Sequence, residues 1–190
     1  SEIQKEMSEL TVATRYAKSL IDLAKEQNAL EQVREDMALF VKTLKASSEL
    51  QAVLRNPIIA HDKKKKVLDA IFGDKVNKAT IAFFHIMINK SRAEILFPTA
   101  LEFINQYNVI NNIINASVVS AAPLSEENKQ KLTDEVKAIT GGNVIMRVKV
   151  DPNLIGGFVL TVGDRQIDTS VLASLNKIKK DFAQKVITRG

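Results

Sequence analysis

The chain has 190 residues, of which 45% are hydrophobic and 26% charged, with no cysteine and no tryptophan. That mix excludes intrinsic disorder, and the missing cysteines exclude disulfides, thiolate metal centres and a cysteine nucleophile. The net charge of +5 raises nucleic-acid binding, but it divides into 16 basic against 14 acidic residues through Asn112 and 11 against 8 afterwards, with both signs interspersed. A binder that neutralises phosphates and stacks bases concentrates its cations on one face beside aromatic rings, and neither pattern is visible. No run of about 18 apolar residues exists, and the opening residues lack the layout of a signal or transit peptide, so the chain reads as soluble and mature. Ser1–Glu6, ahead of Met7, read as a flexible extension outside the folded part.

From Leu10 to Gln27, Ala13, Tyr16, Ala17, Leu20, Leu23 and Ala24 recur at the three-and-four spacing of an amphipathic helix. A second helix runs from Leu30 to about Ala46, with Val33, Met37, Phe40 and Leu44 on one face. Ser48 is the expected cap of a short helix to Arg55, stopped by Asn56-Pro57 because the residue before proline is driven out of the helical region. Asp62 is the expected cap of Lys63–Phe72, closed by Gly73-Asp74. Asn77–Lys90 carries Ile81, Ala82, Phe83, Phe84, Ile86, Met87 and Ile88, leaving almost no polar face, as in a helix buried on several sides or awaiting a partner. A sixth helix spans Ile95 to about Ile114.

After Asn115 the texture changes. Ala116–Ala121 is β-rich and ends at Pro123, and Ser125 starts a helix to Thr140, which Gly141-Gly142 terminates. Val144–Val150 alternates as a half-buried strand, Phe158–Val162 is another, and Gly163-Asp164 turns it into Arg165–Asp168. Ser170 is the expected cap of a last helix bearing Val171, Leu175, Ile178, Phe182 and Val186. The fold class is therefore mainly α, a six-helix N-terminal bundle followed by a small α/β domain. The division falls between Asn108 and Ala116, giving domains 1–112 and 113–190.

The chemistry of catalysis finds little support. His61 and His85 stand 24 residues apart without an HExxH pattern, so no metal site is announced. No serine sits in a G-x-S-x-G setting. The pairs Gly141-Gly142 and Gly156-Gly157 match neither phosphate-loop pattern and read as a helix stop and a close backbone approach. Lys63–Lys66, spread around a helical turn, reads as a solvated face. No catalytic residue, cofactor or metal is expected.

Five segments in order carry a resemblance: Val12-Ala-Thr-Arg-Tyr-Ala-Lys-Ser-Leu; Asn56-Pro57-Ile58 with the lysines after it; Val119-Ser-Ala-Ala-Pro-Leu-Ser-Glu-Glu; Val150-Asp-Pro-Asn-Leu-Ile-Gly-Gly-Phe; and Gly163-Asp with Asp168-Thr-Ser-Val. Together they resemble the ATP synthase delta subunit family, called the oligomycin-sensitivity-conferring protein in mitochondria. One departure is Ser91-Arg92-Ala93, where that family often has G-R-L.

The resemblance implies a non-catalytic stator subunit of a rotary, proton-translocating ATP synthase. Its bundle would bind the N-terminal helix of an alpha subunit between the first and fifth helices, through Tyr16, Ser19, Leu20, Leu23, Ala82, His85 and Asn89. The second domain would hold the b-type peripheral stalk subunits. Membrane contact would come only through the complex, at the cytoplasmic face of a bacterial inner membrane or, alternatively, in a mitochondrial matrix or plastid stroma. Neither nucleic acid nor a homo-oligomer is expected. The rival readings are a basic helical nucleic-acid-binding protein and an enzyme whose site is assembled from residues distant in sequence.

Overall fold

The computed structural model describes residues 1–155 and 157–187, without the side chains at 171, 183 and 185–187. The expectations for Gly156 and for the side chains of Val171 and Val186 lie outside the described residues. The chain divides into two compact units, Ser1–Val109 and Ile110–Gly190.

The first unit is a bundle of α1 (Glu2–Glu26), α2 (Leu30–Ala46), α3 (Ser48–Arg55), α4 (His61–Phe72), α5 (Lys78–Asn89) and α6 (Leu96–Ile110). Its core collects one stripe from each helix, and at its centre Phe40, Phe72 and Phe84 stack with ring centroids 4.8 to 6.0 Å apart. Burying a side chain of this size is worth about 1.5–3 kcal/mol, which is why the apolar spacing decides the helices. On α1 the buried stripe includes Ala13, Ala17 and Ala24, small residues that let neighbouring elements approach closely.

Several expected helix starts shift by local hydrogen bonding. Glu2–Glu6 are helical and exposed, and Ser1 and Gln4 form a capping box that starts α1 at Glu2. Ser47, not Ser48, caps α3, its hydroxyl accepting from the Leu50 amide at 3.2 Å. Asp62 lies inside α4, which begins at His61 after Ala60 with no side-chain cap. Lys64 is buried, so the four lysines are not a uniformly solvated face.

A feature with no sequence signal sits between α2 and α5. Asp36 is 2% exposed and accepts from the Thr80 hydroxyl at 2.7 Å, the Asn77 amide at 2.8 Å and Gln32 Nε2 at 3.0 Å. Three donors satisfy a carboxylate that would otherwise be costly to bury, and they fix the start of α5.

The second unit holds β1 (Ile113–Ser120), α7 (Glu126–Thr140), β2 (Asn143–Val150), β3 (Phe158–Val162), β4 (Arg165–Ile167) and α8 (Ala173–Ile187). Helix α6 stops at Ile110, short of the expected Ile114, since Ile113 already pairs with Asn143 in the sheet. Strand order is β2-β1-β3-β4, with β1 and β2 parallel and the other two pairs antiparallel. The parallel pair needs a crossover, which α7 supplies. Ala116, Val118, Met146, Phe158 and Leu160 pack with Leu132, Val136, Leu175 and Ile178 of α7 and α8. Gly141 closes α7 at φ +73°, and a side chain on the buried Gly142 would collide with Ile114, so the glycine pair acts as a helix stop and close approach.

Ser170 does not cap α8. It belongs to a 3-10 turn, Thr169–Val171, capped by Asp168, and α8 starts at Ala173. Its first amides, Ala173 and Ser174, donate to the two carboxylate oxygens of Glu135 on α7, at 2.8 and 3.1 Å.

Candidate docking groove on the helical bundle

The helical period of α1 sets Val12, Tyr16 and Ser19 along one side and aims Leu20 inward. Leu20 is 1% exposed and belongs to the bundle core, so it supports the groove from beneath and cannot meet a partner directly. Tyr16 is half-buried, Ser19 is exposed, and Leu23 is 38% exposed. Val12, Arg15, Tyr16 and Ser19 line a cavity of about 290 Å³ together with Arg92 from the turn after α5. The Ser19 hydroxyl donates to the Arg15 carbonyl at 3.0 Å, which leaves its oxygen free only as an acceptor.

The C-terminal end of α5 meets this wall at Lys90, whose ammonium lies 5.8 Å from the centre of the Tyr16 ring. The α5 chain leaves through a tight cap in which the Arg92 amide donates to the Met87 carbonyl and the Ser91 amide to the Ile88 carbonyl, at 2.8 and 2.9 Å. This paired bonding is the Schellman arrangement, and it holds Ser91 at φ +59°. The departure from glycine at this position thus falls where glycine is least strained.

Further along α5, Ala82 and Asn89 are exposed, and between them Ile86 is 48% exposed at the same helical pitch. His85 is half-buried and turned toward α4, its Nε2 2.6 Å from Asp69 Oδ1. The expected residues therefore form two sets. Tyr16 and Ser19 share a cavity, while Ala82, His85 and Asn89 line the outer side of α5.

Sequence reasoning missed Ile86, Val12, Arg15, Lys90 and Arg92 as members of this surface. Val12 and Arg15 were legible, since they precede Tyr16 and Ser19 by one helical turn. Ile86 was not, because a helix apolar all round does not disclose which side its neighbours leave open. Around the Tyr16 cavity the surface combines apolar Val12 and Tyr16 with the cations Arg15, Lys90 and Arg92, and exposed Ile86 lies one turn before Lys90 on α5. Among the described residues, no group of three or more His, Asp or Glu side chains is placed to hold a metal ion, and no helix is long and apolar enough to cross a membrane.

A six-helix bundle that bears an open cavity along α1, followed by a small α/β unit, defines the class of fold. The sequence profile of the ATP synthase delta (OSCP) subunit matches residues 12–182, through both units, and the chain belongs to that family. ATP synthase subunit delta of Cytophaga hutchinsonii is 40% identical over 181 residues, covering 95% of this chain and 99% of the relative. The chloroplastic subunit delta of Porphyra purpurea is 32% identical over 168 residues, covering 88% and 90%. A chain in the cryo-EM structure of the Toxoplasma gondii mitochondrial ATP synthase hexamer has the same fold, with a TM-score of 0.63 at 21% identity over 90% of this chain and 97% of that one.

Proposed function

We propose that the protein is the stator connector of a rotary ATP synthase, joining the catalytic head to the peripheral stalk without a catalytic step of its own. The family match across both units carries this reading. A stator serves ATP synthesis driven by proton transport by holding the head still against torque. That task requires buried, well-packed contacts and no acid, base or cofactor.

The groove is the docking surface for the N-terminal helix of an alpha subunit. Support comes from apolar Val12 and Tyr16 at the α1 cavity and exposed Ile86 on α5, which suit one face of an amphipathic helix, and from Arg15, Lys90 and Arg92, which suit acidic residues on its flank. Of the seven residues expected here, Tyr16, Ser19, Leu23, Ala82, His85 and Asn89 remain at the surface. The α/β unit takes the b-type stalk subunits. In a bacterial cell the protein is a peripheral subunit at the cytoplasmic face of the inner membrane.

Burying a few hundred Å² of apolar peptide surface at about 25 cal/mol per Å² gives several kcal/mol gross, and ordering costs remove much of it, so an affinity of about 1 μM is expected. Calorimetric titration of the full chain with a peptide copying the alpha N-terminus tests this, alongside affinity capture from a native membrane fraction. Saturable peptide binding, weakened about tenfold or more by Ala82→Asp with the melting temperature unchanged, supports the groove. Recovery of neither alpha nor b-type subunits overturns the connector role.

A further inference from the structure

A second pocket, of about 360 Å³, opens at the first turn of α4, bordered by the start of α1 and the end of α5. Lys5, Arg55, His61 and Lys64 line it, and the carboxylates facing them are Glu9 and Glu94. Lys64 is the unusual member. It is only 5% exposed, and among the described residues neither a hydrogen bond nor an ion pair engages its ammonium. Its stem is buried and it lines the pocket, where an anion can reach the ammonium.

Two further observations point to the same chemistry. Helix α4, 12 residues long, has Ala60 at its N-cap and therefore no side-chain acceptor for its first amides. The partial positive charge of that helix end, partly offset by Asp62 in its first turn, adds to the cations around it. Ser91 Oγ lies 3.3 Å from His61 Nε2, which brings a hydroxyl and an imidazole to the pocket wall.

We propose that this pocket binds a phosphoryl group, either as free inorganic phosphate or on a small phosphorylated molecule. Lysine serves such a group as a point charge, with Lys64 at the base and Arg55 and Lys5 at the rim. Glu9 and Glu94 leave a surplus of one positive charge among Lys5, Arg55 and Lys64, and together with the amides at the start of α4 that surplus suits a phosphoryl oxyanion. The volume lies near the lower end for small-ligand sites, about 300 Å³, which admits a body larger than phosphate alone. This proposal does not rest on the docking role of the α1 and α5 groove.

The test is an amide chemical-shift titration of the full chain, at fixed ionic strength, with inorganic phosphate in one arm and adenosine monophosphate in the other. Saturable shifts centred on the amides of His61, Lys64 and Ser91 are expected. Lys64→Met, which keeps the buried stem, should weaken them about tenfold or more, since a charge-assisted contact is lost. Arg55→Gln, at an exposed position, should weaken them severalfold and serves if Lys64→Met fails to fold. Tighter binding of the nucleotide than of phosphate assigns a phosphorylated molecule, and binding of phosphate alone assigns the free anion. The proposal fails if neither arm saturates by about 10 mM. It also fails if affinity is unchanged in the folded variants.

Discussion

The bundle and the α/β unit solve one problem in two ways. Each must begin a helix whose own sequence supplies an incomplete cap, and each borrows a carboxylate from another helix. In the bundle Asp36 of α2 reaches the start of α5 and is sealed from water, with three donors around it. In the α/β unit Glu135 of α7 reaches the start of α8 from a half-buried position and takes two amides. The surroundings differ accordingly. Among the described residues the bundle core gathers 23 buried apolar side chains and the α/β core 10. Deep burial makes each bundle interaction more consequential to remove, while the smaller unit rests on fewer and wetter ones.

The largest test of that difference is Phe84→Ala. It removes the ring that packs on both Phe40 and Phe72 and should cost about 3–5 kcal/mol, measured by denaturant unfolding. Hydrogen exchange should show the loss in the amides of α2, α4 and α5, with protection in β1 and β3 retained. Equal loss in the sheet would show that the two units unfold as one, and the comparison would break.

Next comes the pair of borrowed caps. Asp36→Ala strands the Thr80 hydroxyl and the Asn77 amide in a buried place and should cost about 2–3 kcal/mol. Glu135→Ala leaves its two amides closer to water and should cost about 1 kcal/mol. Thermal melts of the two variants beside the parent protein decide it. Similar costs would mean that burial does not set the scale.

How much of this was legible in sequence follows from the range of each interaction. The stripes of α1 and α2 and the alternation of β2 were readable because helix and strand periods are local properties. The strand Phe158–Val162 falls where its apolar run places it. Caps were read less well. Ser47 and Ser48 both fit a start signal, and only the chain's path selects the first. Asp36 and Glu135 could not be found at all, since the helix starts they hold lie 41 and 38 residues away or more. For the docking surface the family resemblance named the two helices, yet the inward turn of Leu20 and the exposure of Ile86 depend on which neighbours cover each face.

Opposite ends of the pH scale should also separate the units. In the bundle the Tyr107 hydroxyl donates to Glu31, which with burial holds the tyrosine above its usual titration range. The stability it contributes is fully present below the ordinary tyrosine pKa of about 10 and is lost as pH rises through the higher folded value. In the α/β unit the Ser170 amide, and then its hydroxyl, hold Asp168 below the usual carboxylate range. That contribution is present above the ordinary aspartate pKa of about 4 and is lost as pH falls through the lower folded value. Tyr107→Phe should therefore converge with the parent protein only at alkaline pH, and Asp168→Asn only in acid. Melting curves across pH that converged at the same end would refute the assignment.

The smallest expected effect concerns two left-handed residues that end helices. Ser91 follows α5 at φ +59° and Gly141 follows α7 at φ +73°, so the bundle has a side chain where the α/β unit has none. A left-handed conformation costs an ordinary residue roughly 1–2 kcal/mol, and part of that is returned because glycine loses more chain entropy on folding. Ser91→Gly should therefore stabilise the bundle by about 0.5–1 kcal/mol, less a small loss from the exposed contact with His61. Gly141→Ala should destabilise the α/β unit by about 1 kcal/mol. A methyl group there would touch nothing within 4 Å, so this cost would come from backbone strain alone. Chemical denaturation of the two single variants reads both signs. A destabilising Ser91→Gly would mean that the serine hydroxyl holds the α5 turn more strongly than its geometry indicates, and a neutral Gly141→Ala would mean that the turn after α7 relaxes out of the left-handed region when it gains a side chain.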